Sequence, residues 1–279
     1  MERKGVFVCL SDGRQQAERE KIERTAAVLR QSGMEIILSD HLYAPQGQYT
    51  AAPAAERAQE VMTYFRDRTV TDIFDISGGD AANGVLPYLD YETIGESKAV
   101  FWGYSDLTTV LNAVYARCGK PSVLYQVKNA AGSFGTIQTR ELLGYLERGE
   151  NALFRFPCTF VNGTEMSGII VGGNIRCFLK LAGTPYMPDM DGKILLLEAR
   201  SGQVPLVGSF LEQLQQMGVF ERIQGILLGT FTQMDESGAS IEELVLQKTE
   251  GRLPVARTAL IGHGGDSKAV MIGEQFSVK

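Results

Sequence analysis

Ser105 stands where an apolar run passes directly into a helical repeat. Residues 99–104 have the composition of a buried strand, and Leu107, Val110, Leu111 and Val114 recur at helical spacing. No loop of ordinary length fits between the two. The sequence therefore predicts a sharp strand-to-helix turn, with the serine hydroxyl exposed beside a helix N-terminus. That is the geometry of a nucleophile elbow, whose backbone N–H groups also receive an oxyanion. A second reading is structural: Ser and Asp are preferred N-cap residues, and Ser105-Asp106 opens a helix. Gly103-Tyr-Ser-Asp106 departs from the Gly-x-Ser-x-Gly pattern, and the local residues leave both readings open.

A serine nucleophile needs a base, and the chain has only 2 histidines, His41 and His263. His263 lies in Gly262-His-Gly-Gly-Asp266, where glycines on both sides leave the ring uncrowded and the backbone free to bend. His41 lies in Ser39-Asp-His-Leu-Tyr43. Either one is also read as a loop histidine bonded to backbone. Carboxylates able to orient a histidine are Glu198, which closes Ile194-Leu-Leu-Leu-Glu198, and the turn residues Asp189 and Asp191. Nothing local ranks one above the others. Gly78-Gly79 forms a turn able to offer an N–H to an oxyanion or a phosphate, or is a plain tight turn. It matches neither the Walker loop nor the dinucleotide fingerprint. Cys9, Cys118, Cys158 and Cys177 are widely spaced and form no C-x-x-C pair, and no metal-ligand spacing occurs. Free thiols and no metal site are expected. Phe101, Trp102 and Tyr104 read as core, not as a base-stacking platform.

These residues need a scaffold. The 279 residues suffice for one large domain or two modest ones, and 44% hydrophobic with 22% charged residues is ordinary globular composition. A net charge of −6 gives no footprint for nucleic acid or an anionic membrane. The first apolar run ends too early for a signal peptide, and no stretch approaches the ~18 apolar residues of a membrane span. A cytoplasmic protein is expected.

The first half alternates strands (5–10, 34–38, 71–76, 99–104, 122–127) with helices (15–31, 51–68, 85–89 and from 107). Such an order predicts a parallel sheet covered on both faces, with sites beyond the carboxyl ends of its strands. Residues 130–136 read as a loop and 139–148 as a helix. Residues 151–171 are β-rich, with turns expected at Asn162-Gly163 and Gly172-Gly173-Asn174. Further strands are expected at 193–197, 225–230 and 255–261, and helices at 209–217 and 241–248. The expected division is an N-terminal α/β domain over 1–135, a linker region over 136–154 and a C-terminal domain over 155–279.

Several segments, taken in order, resemble the LD-carboxypeptidase family of serine peptidases, which includes the microcin-immunity peptidases. They are Gly79 with Leu86-Pro-Tyr-Leu-Asp-Tyr91, then Gly103-Tyr-Ser-Asp106, then Gly183-Thr-Pro-Tyr-Met-Pro-Asp189 with Gly192-Lys-Ile-Leu-Leu-Leu-Glu198. Gly225-Ile-Leu-Leu-Gly-Thr-Phe231 and Gly262-His-Gly264 complete the series. The resemblance implies a Rossmann- or flavodoxin-like parallel-sheet domain and a β-rich α/β domain with the site in the cleft between them. It implies Ser105 as nucleophile, His263 as base and Glu198 as its orienting partner, with an oxyanion hole from the N–H groups of Gly79 and Asp106. It further implies no cofactor, a small peptide substrate and a homodimer.

The family's activities are release of the terminal D-alanine from muropeptide tetrapeptides and, in its immunity branch, cleavage of a peptidyl-nucleotide antibiotic. A cell-wall peptide is the expected substrate here, the antibiotic amidase the first alternative, and a catalytically inactive binding protein of the same fold the second. Where family members carry Arg-Gly-Gly-Tyr-Gly, this chain has Ser77-Gly-Gly-Asp-Ala-Ala-Asn83, which alters the rim of the pocket.

Overall fold

The computed structural model describes residues 3–279. Twelve strands run in chain order: β1 (Lys4–Val8), β2 (Glu35–Leu38), β3 (Val70–Asp75), β4 (Val100–Gly103), β5 (Ser122–Leu124), β6 (Thr159–Asn162), β7 (Met166–Asn174), β8 (Lys193–Ala199), β9 (Gly225–Phe231), β10 (Val255–Arg257), β11 (Val270–Ile272) and β12 (Gln275–Val278). The α-helices are α1 (Arg19–Arg30), α2 (Ala54–Arg66), α3 (Tyr91–Glu96), α4 (Thr108–Cys118), α5 (Gly135–Arg148), α6 (Ile175–Leu179), α7 (Val204–Gln216), α8 (Thr232–Glu236) and α9 (Ile241–Thr249). No helix among the described residues is long and apolar enough to cross a membrane.

The strands form two six-stranded sheets, ordered β2-β1-β3-β4-β5-β11 and β12-β7-β8-β9-β10-β6. In the first, β2, β1, β3, β4 and β5 are parallel, and β11 adds antiparallel to β5. The 2-1-3-4-5 order is flavodoxin-like and puts a topological switch between β1 and β3. In the second, β7 to β10 are parallel, with β12 and β6 antiparallel on the edges.

Period-two alternation decides what each face of the first sheet covers. Phe7, Phe74 and Trp102 point to one face, where Ile22, Ala26 and Leu29 of α1 and Leu142 and Leu146 of α5 bury against them. Trp102 is fully buried, and its indole N–H donates to Asp72 Oδ1 at 3.0 Å. Val6, Val8, Ile73 and Phe101 point to the other face, toward α2 and α4. The same core continues without a break into Ile170, Val171 and Leu195 to Leu197 of the second sheet. One hydrophobic body therefore fixes the two sheets against each other.

Gly172-Gly173-Asn174 is not the expected turn but the end of β7. Both glycines have positive φ, 103° and 131°, and α4 packs directly on them. A Cβ on Gly173 would sit 2.7 Å from Thr108 Oγ1, and one on Gly172 would sit 2.2 Å from Leu196 O. The buried Asn112 amide completes the contact, donating to Gly172 O and accepting from Gly172 N, both at 2.8 Å. The glycines thus mark close helix-on-strand packing.

Asp75, at the end of β3, is fully buried and accepts from Leu10 N at 2.7 Å, Ser77 N at 2.8 Å and Ser77 Oγ at 2.5 Å. Burial still lifts its carboxyl from the ordinary 3.8 to about 6. Because the folded value is the higher one, the unfolded chain gives up this proton first as pH rises. The stability difference between wild type and Asp75→Asn should therefore shift against wild type by about 2 kcal/mol from pH 4 to pH 6, then level off above about pH 7. Urea titrations of both proteins across that range measure it; a difference that is flat or of opposite slope contradicts the assignment.

Candidate active site

The turn at Ser105 begins with a close approach. Gly103 ends β4, and a Cβ there would lie 2.6 Å from Leu107 Cβ. Only glycine lets the following helical turn fold back so tightly. Tyr104 is still extended, and Ser105 then takes φ 56°. Among described non-glycine residues only Glu250 shares a positive φ. Such a conformation costs on the order of 1–2 kcal/mol and persists because its surroundings impose it. The turn is closed by Leu107 N donating to Tyr104 O at 3.1 Å. Ser105 Oγ caps no helical amide; it lies 3.2 Å from His263 Nε2.

His263 reaches the serine across 158 residues of sequence. It follows β10 in a loop that closes on itself: Gly262 N donates to Ser267 Oγ at 2.9 Å, and Ser267 Oγ donates back to Gly262 O at 2.5 Å. Its other nitrogen, Nδ1, is 2.8 Å from Glu198 Oε2. Glu198 lies near the end of β8 with no solvent exposure. Asn174 Nδ2 donates to its other oxygen at 3.0 Å, and the same Asn174 caps α6 by accepting from Cys177 N at 3.3 Å. Tyr104 OH stands 3.4 Å from both Glu198 Oε2 and His263 Nδ1, its ring edge-on to the imidazole. Burial, reinforced by the Glu198 carboxylate, holds the Tyr104 phenol well above its usual range, so it remains a neutral donor. An imidazole protonated on Nδ1 donates to Glu198 and leaves Nε2 to accept the serine proton.

The Gly78-Gly79 turn faces this group. Gly79 has φ 124°, and a Cβ there would fall 2.1 Å from Asp12 Cγ. Among the described residues no acceptor occupies the Gly79 N–H. Arg176 fastens the turn from α6, donating to Gly79 O at 3.2 Å and pairing with the Asp80 carboxylate. Asp12 accepts from Asp80 N at 3.0 Å, and burial, then the neighbouring Asp106, raises its carboxyl. Ser77 is buried and accepts from Ser11 N at 3.0 Å, so a small hydroxyl joins the loops after β1 and β3.

Asp106 binds the two turns together. Its carboxylate is fully buried, with Oδ2 accepting from Ser11 Oγ at 2.7 Å and Ala82 N at 2.8 Å. Lys180, just past α6, donates to Oδ1 at 2.6 Å. Gly79, Asp80, Ser105, Asn174, Arg176, Arg200 and Ser201 line an open cleft of about 330 Å³.

The other candidates lie elsewhere. His41 Nδ1 is 2.8 Å from Glu60 Oε2 on α2. Asp189 and Asp191 are exposed and pair with Arg222. All four cysteines are free, and Cys9 and Cys177 are buried. Phe101 and Trp102 are core as expected; Tyr104 is buried too, but its hydroxyl serves the Glu198–His263 pair. Sequence reasoning passed over Asn174, Arg176, Lys180 and Arg200. The glycine pair ahead of Asn174 was the one signal available for that residue.

Residues 6–125 match the model of the LD-carboxypeptidase N-terminal domain, and residues 167–278 match the C-terminal domain model. The chain belongs to the LD-carboxypeptidase family of peptidases. A Bacillus subtilis relative named as a probable murein peptide carboxypeptidase is 25% identical over 92% of this chain and 84% of its own length. The Escherichia coli microcin C7 self-immunity protein MccF is 26% identical over 77% of this chain and 72% of its own. A structure of MccF with glutamyl sulfamoyl guanosine superposes with a TM-score of 0.87 at 20% identity, covering 99% of this chain and 92% of that one. The muramoyltetrapeptide carboxypeptidase of Oxalobacter formigenes gives 0.78 at 21%, covering 98% and 94%. Both superpositions support the two-sheet fold.

Removing Lys180 leaves Asp106 as an uncompensated buried charge. Lys180→Met should cost about 3 kcal/mol of stability, and Asp106→Asn in the same protein should recover part of it. Thermal unfolding of the two single variants and the double variant checks this. Strictly additive losses would show that the pair is not coupled.

Proposed function

We propose that this peptidase is a serine-type LD-carboxypeptidase that releases the terminal D-alanine from a muropeptide tetrapeptide. The observation that carries the reading is the Ser105–His263–Glu198 relay, with heavy-atom distances of 3.2 and 2.8 Å, assembled from both sheets at a strained turn. Ser105 Oγ attacks the scissile carbonyl as His263 Nε2 takes its proton. Glu198 holds the ring in the Nδ1–H tautomer and stabilises the imidazolium. The oxyanion that forms accepts from the N–H groups of Gly79 and Asp106. His263 then protonates the departing amine, and water enters by the same base to free the acyl-enzyme. The cell-wall substrate is supported by the Bacillus subtilis relative, which spans more of this chain than MccF does.

Mass spectrometry of the protein incubated with a muropeptide tetrapeptide should show loss of one alanine residue from the peptide's carboxyl end. Loss of an internal residue, or cleavage of an aminoacyl sulfamoyl nucleotide with the tetrapeptide intact, would turn the assignment to another substrate. His263→Ala should lower kcat/KM by at least about 10³-fold, close to the effect of Ser105→Ala, because the members of such a relay act as a unit. His41→Ala should leave turnover within about twofold. Steady-state assays of the three variants decide it, and near-full activity in His263→Ala would defeat the mechanism.

A further inference from the structure

The cleft beside Ser105 contains three charged side chains, Asp80, Arg176 and Arg200. Two are committed: Arg176 pairs with Asp80, and Lys180 also reaches Asp80 while neutralising Asp106. Arg200 has no carboxylate partner among the described residues, although it is exposed on the cleft wall. It lies two residues beyond Glu198, where the chain leaves β8, and lines the same cleft as Ser105. Its backbone is held at both ends of a short turn. Gln233 N donates to Arg200 O at 3.2 Å, and Gly202 N donates to Gln233 Oε1 at 2.7 Å. Gln233, on α8, therefore fixes the point from which the guanidinium projects.

The proposed reaction supplies a group for this cation. A carboxypeptidase must distinguish the end of a peptide from its middle, and the chemical difference is the terminal carboxylate. That carboxylate lies one residue from the scissile carbonyl, about 3.8 Å between consecutive Cα atoms. Its receptor must line the same cleft as the nucleophile. A planar guanidinium matches a carboxylate with two parallel N–H bonds. We propose that Arg200 receives the terminal carboxylate of the leaving amino acid and so confines the enzyme to the last peptide bond, with Gln233 positioning it. The inference rests on the carboxypeptidase reading but concerns a contact separable from catalysis.

Two peptides test it: the tetrapeptide with a free terminal carboxylate and the same tetrapeptide with a terminal carboxamide. Wild type should favour the acid by about 10- to 100-fold in kcat/KM, the range expected of a hydrogen-bonded charge pair. Arg200→Ala should abolish that preference by slowing the acid while leaving the amide rate unchanged. Arg200→Lys should fall between, and Gln233→Ala should lower the acid-to-amide ratio with the amide rate retained. In parallel, calorimetric binding of both peptides to Ser105→Ala, with and without Arg200→Ala, reads recognition without turnover. Tighter binding of the acid that depends on Arg200 supports the inference even if wild type hydrolyses neither peptide, an outcome that would count against the catalytic reading alone. A preference that survives Arg200→Ala, equal losses on both peptides, or no binding of either overturns it.

Discussion

A buried carboxylate, Asp106, governs the arrangement of the site. Its two oxygens take a hydroxyl from the loop after β1, an amide from the segment after β3 and an ammonium from just past α6. Each donor comes from a different part of the fold, and a polar group with no solvent exposure has to keep them all. Because Asp106 follows Ser105 directly, this requirement fixes the strained turn relative to the Gly79 turn and to the second sheet. The proposed nucleophile and the proposed oxyanion donors are consequently preorganised before any substrate arrives.

The second sheet contributes by the same logic. Glu198, fully buried, is shared by Asn174, Tyr104 and His263. Asn174 also accepts from the first turn of α6, and its own amide donates to Thr108 Oγ1 at 3.0 Å, in the first turn of α4. Glu198 is thus tied, through Asn174, to the helix that follows Ser105. The segment Ser77-Gly-Gly-Asp-Ala-Ala-Asn83 is held in the same region. Ser77 is small enough to be buried between two loops, and Asp80 provides an exposed carboxylate that Arg176 and Lys180 engage. Exposed pairs of that kind add little stability; their effect here is to hold the turn.

Much of this scaffold was legible because its signals are local. The alternating strands and helices of the first half follow from apolar periodicity, and the absence of a loop before Leu107 exposed the elbow. Three features were not legible in the local residue patterns, for a common reason. Whether Ser105 caps a helix or meets a histidine depends on a residue 158 positions away. Glu198 differs from Asp189 and Asp191 by burial alone, which no local pattern records. Gly172-Gly173 looks like a turn until the helix packed on it is known. The return of β11 to pair with β5 is likewise a long-range closure without a composition cue. The roles of Asn174, Lys180 and Arg200 exist only through partners or a cleft assembled in three dimensions.

The central claim is that Ser105 is activated by His263. Intact-mass measurement after exposure to a fluorophosphonate, followed by peptide mapping, tests it most directly. The expected result is one phosphonyl adduct per chain, located on Ser105, absent in Ser105→Ala and strongly slowed in His263→Ala. An adduct on another residue, or no adduct in folded protein across the neutral pH range, would contradict it.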